Sequence, residues 1–262
     1  MKTICKTNKY TLYKIPANSL FMGQKLIYVP ECHSTNTLLN ELNDSSPLPE
    51  GAVVITDNQT AGRGQRGNLW EAEKGKNLTF SFLLKPSFLA AKDQFRLNMT
   101  ISLAVISALK LYTSSQIKLK WPNDVFINNE KIGGILIENQ LRGAMLSDSV
   151  VGIGLNINQE NFSSAGASSL FNFSRKVNDL NAVFQKLIGF LEAEYLDLRA
   201  GTSNQLKERY MNSLYKFNEL NRFESKGEDF SGSIRDIDEN GRLCLETVAG
   251  MRVFSFKEVK FL

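Results

Sequence analysis

The chain has 262 residues, 42% hydrophobic and 22% charged, and 31 basic against 27 acidic side chains give it a net charge of +4. That length holds a catalytic core and a small appendage, and the mild positive charge suits anionic small molecules or an acidic protein partner, being too dispersed to argue for nucleic acid. No apolar run approaches the roughly 18 residues of a membrane span, MKTICKTNKYTLYKI at the start lacks the apolar stretch of a signal peptide, and the cysteines Cys5, Cys32 and Cys244 are too few and too far apart for a disulfide framework. The expected setting is a reducing cytoplasm, with no membrane association. The single histidine, His33, excludes more. A Ser-His-Asp hydrolase would need it with a G-x-S-x-G that is absent, and a zinc site would need it with a C-x-x-C that is also absent. His33 reads as a linker between a strand and a helix.

KLIYV (25–29) predicts a strand, followed by Ser34 as a helix N-cap with Leu38, Leu39 and Leu42 as the apolar stripe behind it. SSPLPEG (45–51) is a turn cluster, and AVVITD (52–57) is a β-branched strand. The next segment, TAGRGQRGNLW, contains G-x-G-x-x-G at Gly62, Gly64 and Gly67. A dinucleotide-binding turn would need a helix after it, since the pyrophosphate rests on that helix's N-terminus. The chain instead alternates with period 2 at Leu78, Phe80, Phe82 and Leu84, which predicts a strand. The loop therefore joins strand to strand, and Arg63 and Arg66 would supply positive charge in place of a helix dipole. A solvated basic turn is the plainer alternative.

The spacing predicts a long helix over about 94–112, with Leu97, Ile101, Ala104, Val105, Ala108 and Leu111 on one face. IKLK and VFI read as strands split by a turn at Pro122–Asp124, and Asn128–Glu130 as a hairpin turn. IGGILIE and SVVGIGLNIN (149–158) read as further strands. NFSSAGASSL is a loop, and helices are expected over 180–199 and 204–217. From Arg222 the chain becomes short strands with turns at 226–228, 239–241 and 249–250, the grammar of a small β-barrel. The division is placed at 1–220 and 221–262.

Five separated segments agree in order: ECHSTN (31–36), Gln59 running into GRGQRGNLW, KWPND (120–124), KIGGILIE (131–138) and GIGLNIN (152–158). Together, over about residues 25–262, they resemble the biotin–protein ligases. The resemblance implies an α/β (α+β) fold, a mixed-sheet ligase core backed by helices, with a small SH3-like β-barrel after it. It implies activation of biotin by MgATP to biotinyl-5′-AMP, then transfer to a lysine of a biotin carboxyl carrier domain. A carboxylate attacking phosphorus brings two anions together and needs cations placed at the site. The expected catalytic residues are Arg63, Lys131 and Lys120, with Asn123 and Asp124 as oxygen ligands for Mg²⁺ or the nucleotide. Biotin and its adenylate are assigned to Ser34, Thr35, Asn36, Gln59, Gly62, Gly64, Gln65, Arg66, Trp70, Gly133, Gly134, Gly152, Gly154 and Asn156. The glycines are read as leaving room for ligand on the strands. Taken singly, Ser34 is an N-cap on any reading, and Trp70 is equally a core residue or a platform for adenine.

Gln65 departs from the family's pattern, since many members carry a second arginine there. A looser hold on the adenylate is expected, unless Arg66 substitutes. The residues before the first core strand show no paired helical pattern, so a monofunctional enzyme without specific DNA binding is expected. Exposed strand edges are the expected route to carrier docking or homodimerisation. Two rivals stay open: a lipoate–protein ligase, whose usual glycine-rich motif contains a histidine absent here, and a non-catalytic biotin or adenylate sensor.

Overall fold

A computed structural model describes residues 13–203 and 205–262; Cys5 and Asn204 lie outside the described residues, as does the side chain of Arg66. Two sheets are built in succession. The first takes β1 (Leu26–Val29), β2 (Val53–Thr56), β3 (Leu78–Leu84), β4 (Ile117–Lys120), β5 (Asp124–Ile127), β6 (Glu130–Arg142) and β7 (Met145–Leu155) in the order β1-β2-β3-β7-β6-β5-β4. β1 and β2 pair in parallel and the remaining neighbours antiparallel, which makes the sheet mixed.

Helices cover both faces. α1 (Thr35–Ser45) lies on one, where Leu39, Ala52, Val54, Leu83 and Val150 form a small core. On the other, α2 (Gln94–Leu109) and α4 (Leu180–Ala200) pack against the main core around Phe80, Phe82, Leu97 and Phe184. This explains β3, every residue of which is buried. Its phenylalanines fill one core, while Ser81 on the opposite face meets Thr35 and Asn36 of α1.

Several boundaries differ from the sequence expectation. α2 stops at Leu109, so Leu111 leaves the predicted stripe and is 57% exposed. The helix expected over 204–217 is only α5 (Leu206–Asn212), since the chain turns after it and Lys216 and Asn218 take positive φ. The loop after β7 ends in a short helix that periodicity did not signal, α3 (Leu170–Ser174), capped by Ser169. β7 ends at Leu155, so Asn156–Asn158 lie beyond it.

The second sheet comprises β8 (Leu220–Ser225), β9 (Glu228–Ile237), β10 (Leu243–Thr247), β11 (Gly250–Phe254) and β12 (Lys260–Phe261), all antiparallel in the order β11-β10-β9-β8-β12. It is the small antiparallel β-unit expected, though its strands do not close into a barrel. β12 is two residues long and pairs with β8, too short to close the sheet onto β11. The sheets are stapled at Trp121, a buried residue whose Nε1 donates to the Gly241 carbonyl at 2.9 Å. Its ring also meets Phe256 at 5.2 Å. Among the described residues no helix is long and apolar enough to cross a membrane.

Candidate active site

The glycine loop is a hairpin-like excursion between β2 and β3, as its strand-to-strand context demanded. The Trp70 amide donates to the Gly62 carbonyl at 2.9 Å and the Gly64 amide to Asn68 at 2.7 Å, with one short 3-10 turn at Gln65–Gly67 between them. Trp70 is thereby folded back over the sheet, onto β6 and β7.

A cleft of about 600 Å³ opens there, on the α1 face of the first sheet. At one end lie Ser34, Thr35, Asn36 and Gln59; Arg63, Gly64, Gln65 and Trp70 form one wall; Lys120, Asn123, Asp124 and Lys131 form the other; Gly134, Gly152 and Gly154 lie along the floor. Segments from position 34 to position 154 thus converge, because α1 begins, the loop closes and the β4–β5 turn falls at the same end of the sheet.

Polar groups at the first end form a chain. Ser34 occupies the N-cap position of α1 but its hydroxyl makes no capping bond. Gln59 Oε1 takes over, accepting from the Thr35 amide at 2.8 Å and the Thr35 hydroxyl at 3.2 Å. Ser81 Oγ lies 2.7 Å from Thr35 Oγ1 and 2.6 Å from Asn36 Oδ1, and Asn36 Nδ2 donates to Glu138 Oε2 at 2.8 Å. This leaves the Ser34 hydroxyl unclaimed as a cap, at a cleft that Ile135, Leu136 and Ile153 also line.

The three cations of the two walls are held differently at each position. Lys131 Nζ sits 2.7 Å from Asp124 Oδ1 and 6.0 Å from the Trp70 ring centroid. Lys120 has no ion-pair partner among the described residues, and its ammonium lies between the rings of Phe126 at 5.1 Å and Phe261 at 5.0 Å. Burial pushes its pKa below the ordinary lysine value; Asp124 opposes that shift, and Lys216 and Lys131 add to it. Arg63 reaches Glu138 with Nη2.

Three expected residues lie off the cleft lining. Gly62 backs onto the Trp70 carbonyl and Gln59, and Gly133 faces Leu155. The side chain of Arg66 falls outside the described residues. Asn156 lines an adjoining hollow of about 280 Å³ that shares Trp70 and Lys131 with the cleft. There Asn156 Oδ1 and Trp70 Nε1 are buried without hydrogen-bond partners, a state that costs about 1–3 kcal/mol per group and favours a ligand satisfying them.

Two of the floor glycines need correction too. A Cβ on Gly152 would run into Asn36 Oδ1, and one on Gly154 into the Trp70 indole. The space they leave is filled by the site's own side chains, not held open for ligand.

Asn123 and Asp124 do not make a metal cage. Asn123 Nδ2 donates to the Ile135 carbonyl at 2.7 Å, pinning the turn to β6, while Asp124 pairs with Lys131. No cluster of three or more His, Cys, Asp or Glu side chains able to hold a metal occurs among the described residues. A Mg²⁺ ion commonly keeps its waters and substrate phosphates and takes only one or two carboxylates, so Asp124 fits a metal arriving on ATP and nothing more.

Two sets of residues escaped sequence reasoning. Glu138, at the end of KIGGILIE, had a visible signal: a carboxylate directly after the apolar run 135–137. Lys257, Val259, Lys260 and Phe261 also line the cleft, and no local pattern marked them, because their role depends on how the second sheet docks.

Residues 28–156 match the Biotin/lipoate A/B protein ligase family, and residues 222–261 match the Biotin protein ligase C terminal domain. The chain is 30% identical over 236 residues to the Bifunctional ligase/repressor BirA of Bacillus subtilis, covering 88% of this chain and 72% of that one. It is also 30% identical over 244 residues to the Biotin--[acetyl-CoA-carboxylase] ligase of Mycobacterium tuberculosis, covering 91% and 90%. Among solved structures, the biotin protein ligase from Aquifex aeolicus in complex with biotin and ATP superposes with a TM-score of 0.76 at 26% identity, over 91% of this chain and all of that one. The chain belongs to the biotin–protein ligases of the biotin/lipoate ligase family.

Proposed function

We propose that this chain is an ATP-dependent ligase that activates biotin as biotinyl-5′-AMP and transfers the biotinyl group to a lysine of a biotin carboxyl carrier domain. The observation that carries the site assignment is the convergence of Arg63, Lys120 and Lys131 on one cleft that also holds the Ser34, Thr35, Asn36 and Gln59 polar cluster. The cluster suits the urea head of an apolar bicycle, a few fixed polar groups in a pocket that is otherwise non-polar. The cations suit the place where biotin's carboxylate oxygen bonds to the α-phosphorus and pyrophosphate leaves.

In this reading Arg63 and Lys120 bind phosphate oxygens, and Lys131, between Asp124 and Trp70, bridges carboxylate and phosphate. Trp70 Nε1 and Asn156 Oδ1, a donor and an acceptor buried without partners, suit an adenine, which offers both. A Mg²⁺ ion carried by ATP would meet Asp124, and would supply charge neutralisation at the phosphates. In the second step the carrier lysine's amine attacks the acyl carbon, expels AMP and gives up a proton to leave an amide.

Incubation with labelled biotin, ATP and a carrier domain tests the reading. Labelled biotin on the carrier lysine, with release of AMP and pyrophosphate, is expected. Preference for lipoate would return the lipoate–ligase alternative, and binding without adenylate formation would return the sensor.

A further inference from the structure

Arg63 stands at the mouth of the cleft on a loop with almost no regular structure, where a long side chain would sample many rotamers. It is nonetheless held. Its Nη2 donates to both oxygens of Glu138, at 2.9 and 2.8 Å. One nitrogen is used, and among the described residues no other acceptor engages the rest of the fork. The unused edge belongs to a side chain that lines the cleft, so it is available for an incoming anion.

Glu138 is itself fixed from behind. Asn36 Nδ2 donates to its Oε2 at 2.8 Å, and Asn36 is anchored by Ser81 Oγ at 2.6 Å and by the Leu136 carbonyl at 3.4 Å. Asn36 and Ser81 are buried. An exposed ion pair alone contributes little, because ordering two long side chains cancels most of its Coulomb energy. Here the carboxylate already accepts a hydrogen bond from Asn36, a buried side chain itself anchored by Ser81, so the guanidinium joins a partner that is held from behind.

We infer that Glu138 is a positioning residue: it holds Arg63 by one nitrogen so that the remaining donors of the fork meet the phosphates of ATP, and it ties that placement to Asn36, which shares its carboxylate. The inference rests on the biotin-activating reading of the cleft. Pre-organising a donor before substrate arrives lowers the ordering cost at the moment of binding.

The test is Glu138→Gln, which keeps an acceptor for Asn36 and removes the charge that holds Arg63. Biotinyl-AMP formation, the KM values for ATP and biotin, and the Tm are measured for wild type, Glu138→Gln, Arg63→Ala and the double variant. Expected are a rise of about tenfold in the KM for ATP, on the usual scale of coupling between contacting groups, with biotin affinity and Tm retained. No further loss is expected when Glu138→Gln is added to Arg63→Ala. Should Glu138→Gln be unstable, Glu138→Asp gives the same reading, keeping the charge and pulling the guanidinium back, with a smaller rise in the KM for ATP. An unchanged or lowered KM for ATP, or losses that add in the double variant, would overturn the inference; a lowered value would mean that Glu138 competes with phosphate. Wild-type protein that forms no biotinyl-AMP would instead overturn the functional reading beneath it.

Discussion

At Lys120 the environment and the task pull in opposite directions. Burial between two rings disfavours the ammonium and lowers its pKa, whereas binding phosphate needs it charged. On the proposed function, an anion entering the cleft would restore the balance by favouring the charged form. Because the free enzyme's lysine deprotonates earlier than an ordinary one, ATP affinity should fall on the alkaline side at a lower pH than a solvated lysine near 10.4 would give. Lys120→Arg should move that limb upward, read from kcat/KM for ATP between pH 7 and 10 (roughly the range below an ordinary lysine); coincident limbs would remove Lys120 from phosphate binding. Gln65, which lines the same cleft, offers a neutral amide where an arginine would make a charge-assisted contact worth on the order of 1–2 kcal/mol more. Gln65→Arg should therefore slow release of biotinyl-AMP about tenfold, measured by chasing the pre-formed complex with unlabelled ligand. Equal off-rates would point to Arg66 as the substitute, and Arg66→Ala would then accelerate release.

Among the elements, α4 does more than cover the sheet. Its Glu192 is buried and accepts from the backbone amides of Leu20, Phe21 and Met22 at 2.8–3.0 Å and from the Ser19 hydroxyl at 3.1 Å. Burial raises its pKa, but those four donors outweigh it and hold the carboxyl below the ordinary glutamate value. A depressed folded pKa contributes stability that is fully present above the unfolded value near 4.3 and is lost as pH falls through the folded one. Glu192→Gln should cost about 1.5–3 kcal/mol at neutral pH and flatten the acid limb of the Tm profile, checked by thermal melts from pH 7 to about 3; a parallel acid limb would contradict this. Contacts of this kind explain what was legible in the chain. The strands and the two long helices showed in periodicity because burial on a regular face leaves a period. α3, the early stop of α2 and the shortness of α5 did not, since local capping and positive-φ turns at Lys216 and Asn218 decide them. The motif residues were legible because each lies in a short contiguous segment; that Gly152 and Gly154 make room for Asn36 and Trp70 was not, because those pairs are far apart in sequence.

In the whole molecule, the second sheet completes the cleft. Phe261 stacks on Lys120, and Lys257, Val259 and Lys260 lie along the same rim. Phe261→Ala should raise the KM for ATP roughly fivefold, matching about 1 kcal/mol for a partly desolvated cation–π contact, while biotin binding at the opposite end of the cleft stays the same; steady-state kinetics with each substrate varied in turn checks it, and a matched loss in both would mean the sheet itself had shifted. The staple at Trp121, which sits in KWPND yet donates to Gly241, ties the second sheet to the β4–β5 turn. It also sets an order of events in time. The first sheet is complete in sequence by Leu155 and its strands pair mostly with near neighbours, whereas the Lys120–Phe261 and Trp121–Gly241 contacts bridge well over one hundred residues (|i−j| is 120 for the latter). Contacts that close such long loops form slowly, and domains emerging from the ribosome fold as units, the earlier one first. A nascent chain would therefore acquire its polar pocket and the Lys120–Lys131 wall while the rim that packs on Lys120 was still unsynthesised, and the complete cleft would arise only with the last segment to dock.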